Sequence, residues 1–214
     1  MASIINSKNF IKSLRLLYYL VEIGSVHFIL CPGNRSAPLA LAAGELSKRG
    51  IIKLFNSIDE RSAGFHALGI SCASDQLTVV ITTSGTAVAN LLPSAVEADI
   101  SSNKVIFLTA DRPKRLKNCG SNQTVNQEYF LKSSCRTFLT TNLEGLHMTS
   151  NSQIIDLVRQ IYKINSYSPG PIHLNIPFEE PLVLDLEERA ELLKFFEKDF
   201  INKKNKFPKE KLIK

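Results

Sequence analysis

The sequence predicts an α/β protein, a doubly wound, mostly parallel sheet with helices on both faces. Two observations carry this. Short apolar runs alternate with helix-patterned segments along most of the chain, the rhythm of strand–helix–strand units. The runs themselves are continuous rather than alternating, as in HFILC, LTVVITT and KVIFLTA. Such strands are buried on both faces, which requires a parallel sheet covered on each side. At 214 residues the chain is long enough to bury a sizeable core.

The elements follow in order. Residues 6–23 read as an amphipathic helix, with Asn6 or Ser7 able to cap it. HFILC is the first strand and 37–49 the next helix. IIKLFNSI is the second strand, followed by the Gly- and Ala-rich helix ERSAGFHALGISCAS, whose small residues allow close packing. LTVVITT is the third strand, GTAVANLLPSAVEAD a helix and KVIFLTA the fourth strand. A long polar loop, DRPKRLKNCGSNQTVNQ, leads to a fifth strand in CRTFLTT, a helix over 151–165 and a sixth strand in PIHLNIP. Pro171 and Pro177 bracket that last strand and predict a place near the sheet edge. Beyond PFEEPL the pattern dissolves into charge, so a boundary is expected near residue 183, with 184–214 a charged linker or tail.

Composition excludes some functions. The net charge is +6, but five of those charges come from the lysine-rich end, Lys194 to Lys214, which reads as a solvated linker or tail rather than a nucleic-acid surface. No apolar run approaches the length of a membrane span, and the N-terminal apolar stretch is broken by Lys12, Arg15 and Glu22, unlike a signal peptide. Neither nucleic acid nor membrane is an expected partner. The four cysteines lack metal-ligand spacing and read as reduced thiols in a cytosol-like compartment. His66 and His173 read as core or interface histidines.

In a doubly wound sheet, ligands bind outside the carboxyl ends of the strands. The residues that follow each strand are therefore the informative ones. After the first strand, Pro32 and Gly33 make a tight turn, and Ser36 can cap the next helix. Arg35 then lies near a helix N-terminus, where a planar guanidinium suits a carboxylate or phosphate. After the second strand, Glu60 sits where strand hands over to helix, a place from which a carboxyl could share a proton with a ring nitrogen. After the third, Gly85 permits close backbone approach, and Ser84 or Thr86 can cap. After the fourth come Asp111 and Arg112, with Asn122 and Gln123 further along the loop. Each motif alone also fits an ordinary solvated turn.

Together they fit one family. CPGNRSAPLALAA, DERSAGFHALGIS, TTSGTAVANLLPSAVEA, LTADRPKRLKNCGSNQT and HLNIPFEEPL occur in this order and spacing. Over residues 8–182 the chain closely resembles the N-terminal, pyrimidine-binding domain of the MenD family, the thiamine-diphosphate-dependent 2-succinyl-5-enolpyruvyl-6-hydroxy-3-cyclohexene-1-carboxylate synthases. That family joins 2-oxoglutarate, with loss of carbon dioxide, to isochorismate on the way to menaquinone or phylloquinone. The resemblance implies that Glu60 bonds the cofactor's aminopyrimidine ring. Pro32, Gly33, Ser84, Gly85, Thr86 and Asn90 would line the cofactor pocket. Asn34, Arg35, Arg112, Asn122 and Gln123 would bind substrate, and two arginines suit dicarboxylates. Asn34 departs from the family's usual Ser, which predicts altered turnover or a contact through water.

The family also implies Mg²⁺ or Mn²⁺ with the cofactor's diphosphate, held by a further domain bearing a Gly-Asp-Gly motif. No Gly-Asp pair occurs in these 214 residues, so no metal ligand is expected here. The expectation is a fragment, a split subunit or a decayed product, active only with a diphosphate-binding domain from another subunit or chain. A homo-oligomer in the cytoplasm, or in a plastid stroma, follows from the resemblance. The alternatives are a non-catalytic anion-binding or interaction module that retains the fold, and a different 2-oxo-acid carboligase.

Overall fold

The computed structural model describes residues 2–201. Six strands form one all-parallel sheet in the order β2-β1-β3-β4-β6-β5. The strands are β1 (His27–Leu30), β2 (Lys53–Asn56), β3 (Thr78–Thr82), β4 (Val105–Asp111), β5 (Thr137–Thr140) and β6 (Ile172–Pro177). Helices α1 (Ala2–Glu22), α2 (Ala37–Lys48), α6 (Asn151–Tyr167) and α7 (Leu186–Phe196) cover one face. Helices α3 (Glu60–Ser74), α4 (Thr86–Ala89) and α5 (Leu92–Ile100) belong to the other.

The continuous apolar strands feed both layers, because successive side chains point to opposite faces. Phe28 and Leu30 of β1 enter the α1-side core while Ile29 and Cys31 enter the α3-side core. In β4, Ile106, Leu108 and Ala110 face one way, Val105 and Phe107 the other. Gly64 of α3 lies against α5: a Cβ there would come within 2.8 Å of Ser94 Cβ. The Gly- and Ala-rich helix thus packs as closely as its composition allows.

Several expectations need correction. The last strand lies near the edge as expected but is not the edge strand itself, because the chain returns from β5 through α6 and inserts β6 between β4 and β5. Its prolines are tolerated since Pro171 precedes the ladder, its carbonyl accepting from Arg136 N, and Pro177 ends it, with Phe178 N bonding Asp111 O just beyond. Helix α1 begins before Asn6 and Ser7, whose side chains instead reach Val183 O and Glu188. Ser36 and Ser84 make no helix cap: Ser36 Oγ donates to Gly33 O, and Gly85 is the residue that opens α4. The helix expected over 85–99 breaks into α4 and α5 around Asn90 and Leu91.

The segment read as the start of a charged tail forms α7, capped by Asp185, whose carboxylate accepts from Glu188 N. It buries Leu193 and Phe196, the latter edge-on to Tyr18. Most of the lysine-rich end lies outside the described residues. No helix among the described residues is long and apolar enough to cross a membrane.

Candidate functional site

All strands run the same way, so the turns after β1, β2, β3 and β4 open at one end of the sheet. The chain leaves β1 toward β2 and leaves β3 toward β4, which makes the β1–β3 boundary a topological switch point, where open α/β sheets bind ligands. Two tight turns meet there. Gly33, after β1, lies so close to the turn after β3 that a Cβ would sit 2.5 Å from Thr83 Cβ. Gly85 adopts φ of 84°, a left-handed value suited to glycine, and a Cβ there would lie 2.7 Å from Gln123 Cγ.

Glu60 is the first residue of α3. Asp59 caps that helix, accepting from Ser62 N at 2.7 Å, so the turn is rigid where Glu60 emerges. Glu60 is partly buried, and its Oε2 accepts from Asn90 Nδ2 at 3.1 Å across the two helix starts. Beneath them, burial together with Glu60 and Asp59 pushes the Cys31 thiol up to about 12.

Arg35 does not stand bare at its turn. It is buried, donating from Nη1 to Phe178 O at 3.0 Å and from Nη2 to Glu180 Oε1 at 2.7 Å, while Nε has no partner among the described residues. Arg112 is half-buried and donates from Nη1 to Ser84 Oγ and to Gln123 O at 2.7 Å. Burial and the nearby Arg35 cation depress its pKa, with Asp111 and Glu180 opposing. Two guanidinium groups therefore face one region that also contains Glu180. Gln123, at φ 55°, ties the loop to the β3 turn, its Nε2 donating to Ser84 O at 2.8 Å. Pro32, Asn34, Thr86 and Asn122 are exposed on the same rim. The carbonyls of Asn34 and Asn122 bond locally, to Ala37 N and to Thr124 Oγ1.

The sequence reading missed the layer beneath. Gln127 is fully buried. Its Oε1 accepts from Gly85 N at 2.9 Å, and its Nε2 donates to Ala110 O at 3.0 Å and to Asn175 Oδ1 at 2.7 Å. Asn175 Nδ2 donates to Asp111 Oδ2 at 2.8 Å, and Asp111 Oδ1 accepts from Arg112 N at 2.8 Å. Lys117 pairs with Asp111 at 2.9 Å and Glu128 at 2.7 Å; burial opposes its charge, but the two carboxylates outweigh this and raise its pKa. The network fixes the end of β4, and with it Arg112. One signal was available: Asn175 and His173 are the polar residues of an otherwise apolar strand, and a buried amide needs partners.

Beside the network, between the ends of β4, β6 and β5, lies a cavity of about 570 Å³ walled partly by Arg112, Lys117, Tyr129, Phe138 and Asn175. Glu60 and Arg35 do not line it. His66 is exposed, its ring edge-on to Phe55, and His173 is buried against Thr109. The four cysteines are free. Among the described residues, no group of three or more His, Cys, Asp or Glu side chains is placed to hold a metal ion.

Residues 14–132 match the family described as thiamine pyrophosphate enzyme, N-terminal TPP binding domain. The chain is 61% identical over 204 residues to the 2-succinyl-5-enolpyruvyl-6-hydroxy-3-cyclohexene-1-carboxylate synthase of Prochlorococcus marinus strain MIT 9215, covering 95% of this chain and 35% of that protein. It is 59% identical over 210 residues to the synthase of strain MIT 9515, covering 98% and 36%. Against the synthase of Synechococcus sp. strain WH7803 the identity is 58% over 167 residues, covering 78% and 29%. The chain thus spans about a third of the length of these curated relatives.

Proposed function

The chain belongs to the thiamine pyrophosphate enzymes, whose N-terminal TPP binding domain it carries, and on that premise we propose that it is the pyrimidine-binding part of a 2-succinyl-5-enolpyruvyl-6-hydroxy-3-cyclohexene-1-carboxylate synthase. The reaction assigned is the joining of 2-oxoglutarate, with decarboxylation, to isochorismate, in menaquinone or phylloquinone biosynthesis. The observation that carries this reading is the convergence of two guanidinium groups at the sheet end where Glu60 also emerges. Both substrates are dicarboxylates, and paired arginines are suited to them.

The residues present fit the ring part of the cofactor. One Glu60 oxygen is held by Asn90, and the other is not engaged by any described residue. A carboxyl so oriented can exchange a proton with a ring nitrogen. When bound, thiamine diphosphate supplies the electron sink for decarboxylating a 2-oxo acid. Asn90 orients Glu60, and the Gly33 and Gly85 turns, packed against Thr83 and Gln123, fix the strand ends on the same side of the sheet. Arg112, braced by Ser84 and Gln123, holds a substrate carboxylate, with Arg35 as the second anion seat. Pro32, Asn34, Thr86 and Asn122 complete the rim. Asn34 presents an amide at the position usually occupied by serine. The diphosphate and its Mg²⁺ or Mn²⁺ ion are assigned to a second domain from another subunit or chain, so the working form is an oligomer in an aqueous compartment, cytoplasm or plastid stroma.

The test mixes this chain with a separately produced diphosphate-binding domain of a relative, thiamine diphosphate and Mg²⁺. Carbon dioxide release from 2-oxoglutarate, coupled to isochorismate consumption, is the expected result. Glu60→Gln should lower that rate by about 10²–10⁴-fold while the far-UV circular dichroism stays unchanged. A Glu60→Gln protein with a near-normal rate would remove Glu60 from its assigned role. A wild-type chain that folds and binds its partner but releases no carbon dioxide would leave a non-catalytic binding module.

A further inference from the structure

The nitrogens of Arg35 are unequally used. Nη1 donates to a backbone carbonyl, Phe178 O, and Nη2 to a single oxygen of Glu180. Nε is buried and has no acceptor among the described residues. Nε and Nη2 form one edge of the planar fork, an edge that a carboxylate can take with both oxygens at once. Glu180 takes it with one. A buried donor without a partner is unfavourable, so this edge is incompletely satisfied as it stands.

The two partners also differ in burial. The Arg35 side chain is 6% exposed and that of Glu180 is 60% exposed, so Glu180 reaches its position from the solvent side and can leave it. The charged groups facing this place are Arg35, Arg112 and Asp111. The neighbouring Glu179 is engaged elsewhere, by Arg115 at 2.7 Å. With Glu180 in place, one of the two positive charges assigned to dicarboxylate binding is already matched.

We propose that Glu180 is a displaceable stand-in for the substrate carboxylate, and that anions bind at Arg35 by exchange with it. The incoming carboxylate takes Nη2 from Glu180 and fills Nε as well, while Nη1 stays on Phe178 O and keeps the guanidinium oriented. The exchange selects for ligands that offer two coplanar oxygens over single-point anions such as chloride. It also keeps a buried cation from standing uncompensated between binding events. This inference rests on the reading of Arg35 as a substrate-binding residue.

Titration calorimetry of this chain with 2-oxoglutarate at fixed ionic strength tests it. Glu180→Gln keeps the size of the side chain but removes the competing charge. Its dissociation constant for 2-oxoglutarate should fall by about 3–10-fold, in keeping with the modest strength of a partly exposed ion pair. Chloride should compete more strongly in Glu180→Gln than in wild type, because no carboxylate then has to be displaced, and Arg35→Lys should lose the gain in the Glu180→Gln background because an ammonium offers no fork. If Glu180→Gln binds as wild type does, or more weakly, the stand-in role is wrong and Glu180 serves to hold Arg35 in place. If neither protein binds 2-oxoglutarate, the assignment of Arg35 as a carboxylate seat fails with it. Matched thermal melts of both proteins separate these outcomes from misfolding.

Discussion

Replacing Gln127 by Met removes the hydrogen bonds beneath the site while nearly conserving side-chain volume, so that little of the effect comes from a cavity. Gln127 is fully buried and makes three hydrogen bonds. Two of the groups it serves are acceptors, Ala110 O and Asn175 Oδ1, and the latter keeps a bond from Thr109 Oγ1. Losing each of those bonds costs about 0.5–1.5 kcal/mol. The third is different: Gly85 N–H is buried, and its partner becomes a thioether, a weak acceptor. An orphaned buried donor costs about 1–3 kcal/mol. The combined loss is about 4 kcal/mol, which for a domain of this size lowers the melting temperature by about 8–16 °C. Thermal denaturation of the chain followed by circular dichroism reads this directly. A shift under about 2 °C would mean that the Gly85 turn is not held by this amide, and the account of how the loop after β4 is fixed would have to be abandoned.

Two further outcomes are expected. Iodoacetamide at pH 8 should modify Cys72 and Cys119 and spare Cys31 and Cys135, as read by peptide mass spectrometry: the first two are exposed, whereas burial pushes both of the others up to about 12. Rapid labelling of Cys31 in the folded chain would contradict the packing under Glu60. Burial lowers His173 from 6.5 to about 4, and Thr109 spends its own proton on Asn175, so Nε2 donates to Thr109 and Nδ1 stays unprotonated and unpartnered. The unfolded chain therefore takes up a proton below pH 6.5 that the folded chain refuses. Stability is whole above that pH, falls as pH drops toward 4, and loses about 2 kcal/mol by pH 5. Urea midpoints at pH 7 and pH 5 should diverge less in His173→Gln than in wild type, and parallel pH profiles would refute this.

Much of the fold was legible because it follows from local pattern. The runs around Phe28, Val79 and Phe107 place apolar residues at successive positions rather than alternate ones, and only a sheet covered on both faces can bury them. The turn glycines were legible for the same reason, since Gly33 and Gly85 end two such strands. The resemblance drawn from the linked motifs agrees with the family match over residues 14–132. Helix limits were less legible. Asn6 and Ser7 have capping chemistry, but the helix begins before them and their side chains are taken by Val183 O and Glu188, partners 177 and 181 positions away. The acidic and basic residues after 183 hid the apolar stripe by which α7 docks.

The sequence by itself determined the layer architecture and the residues that lie just past each strand, because both depend on near-neighbour order and side-chain chemistry. Tertiary structure alone decided the strand order that puts β6 inside the sheet, the seating of Arg35 on Phe178 and Glu180, and the Gln127–Asn175–Asp111 network. These join residues from 48 to 145 positions apart. Their partners are chosen by which buried donors and acceptors the folded sheet brings within reach, and no local pattern encodes that choice.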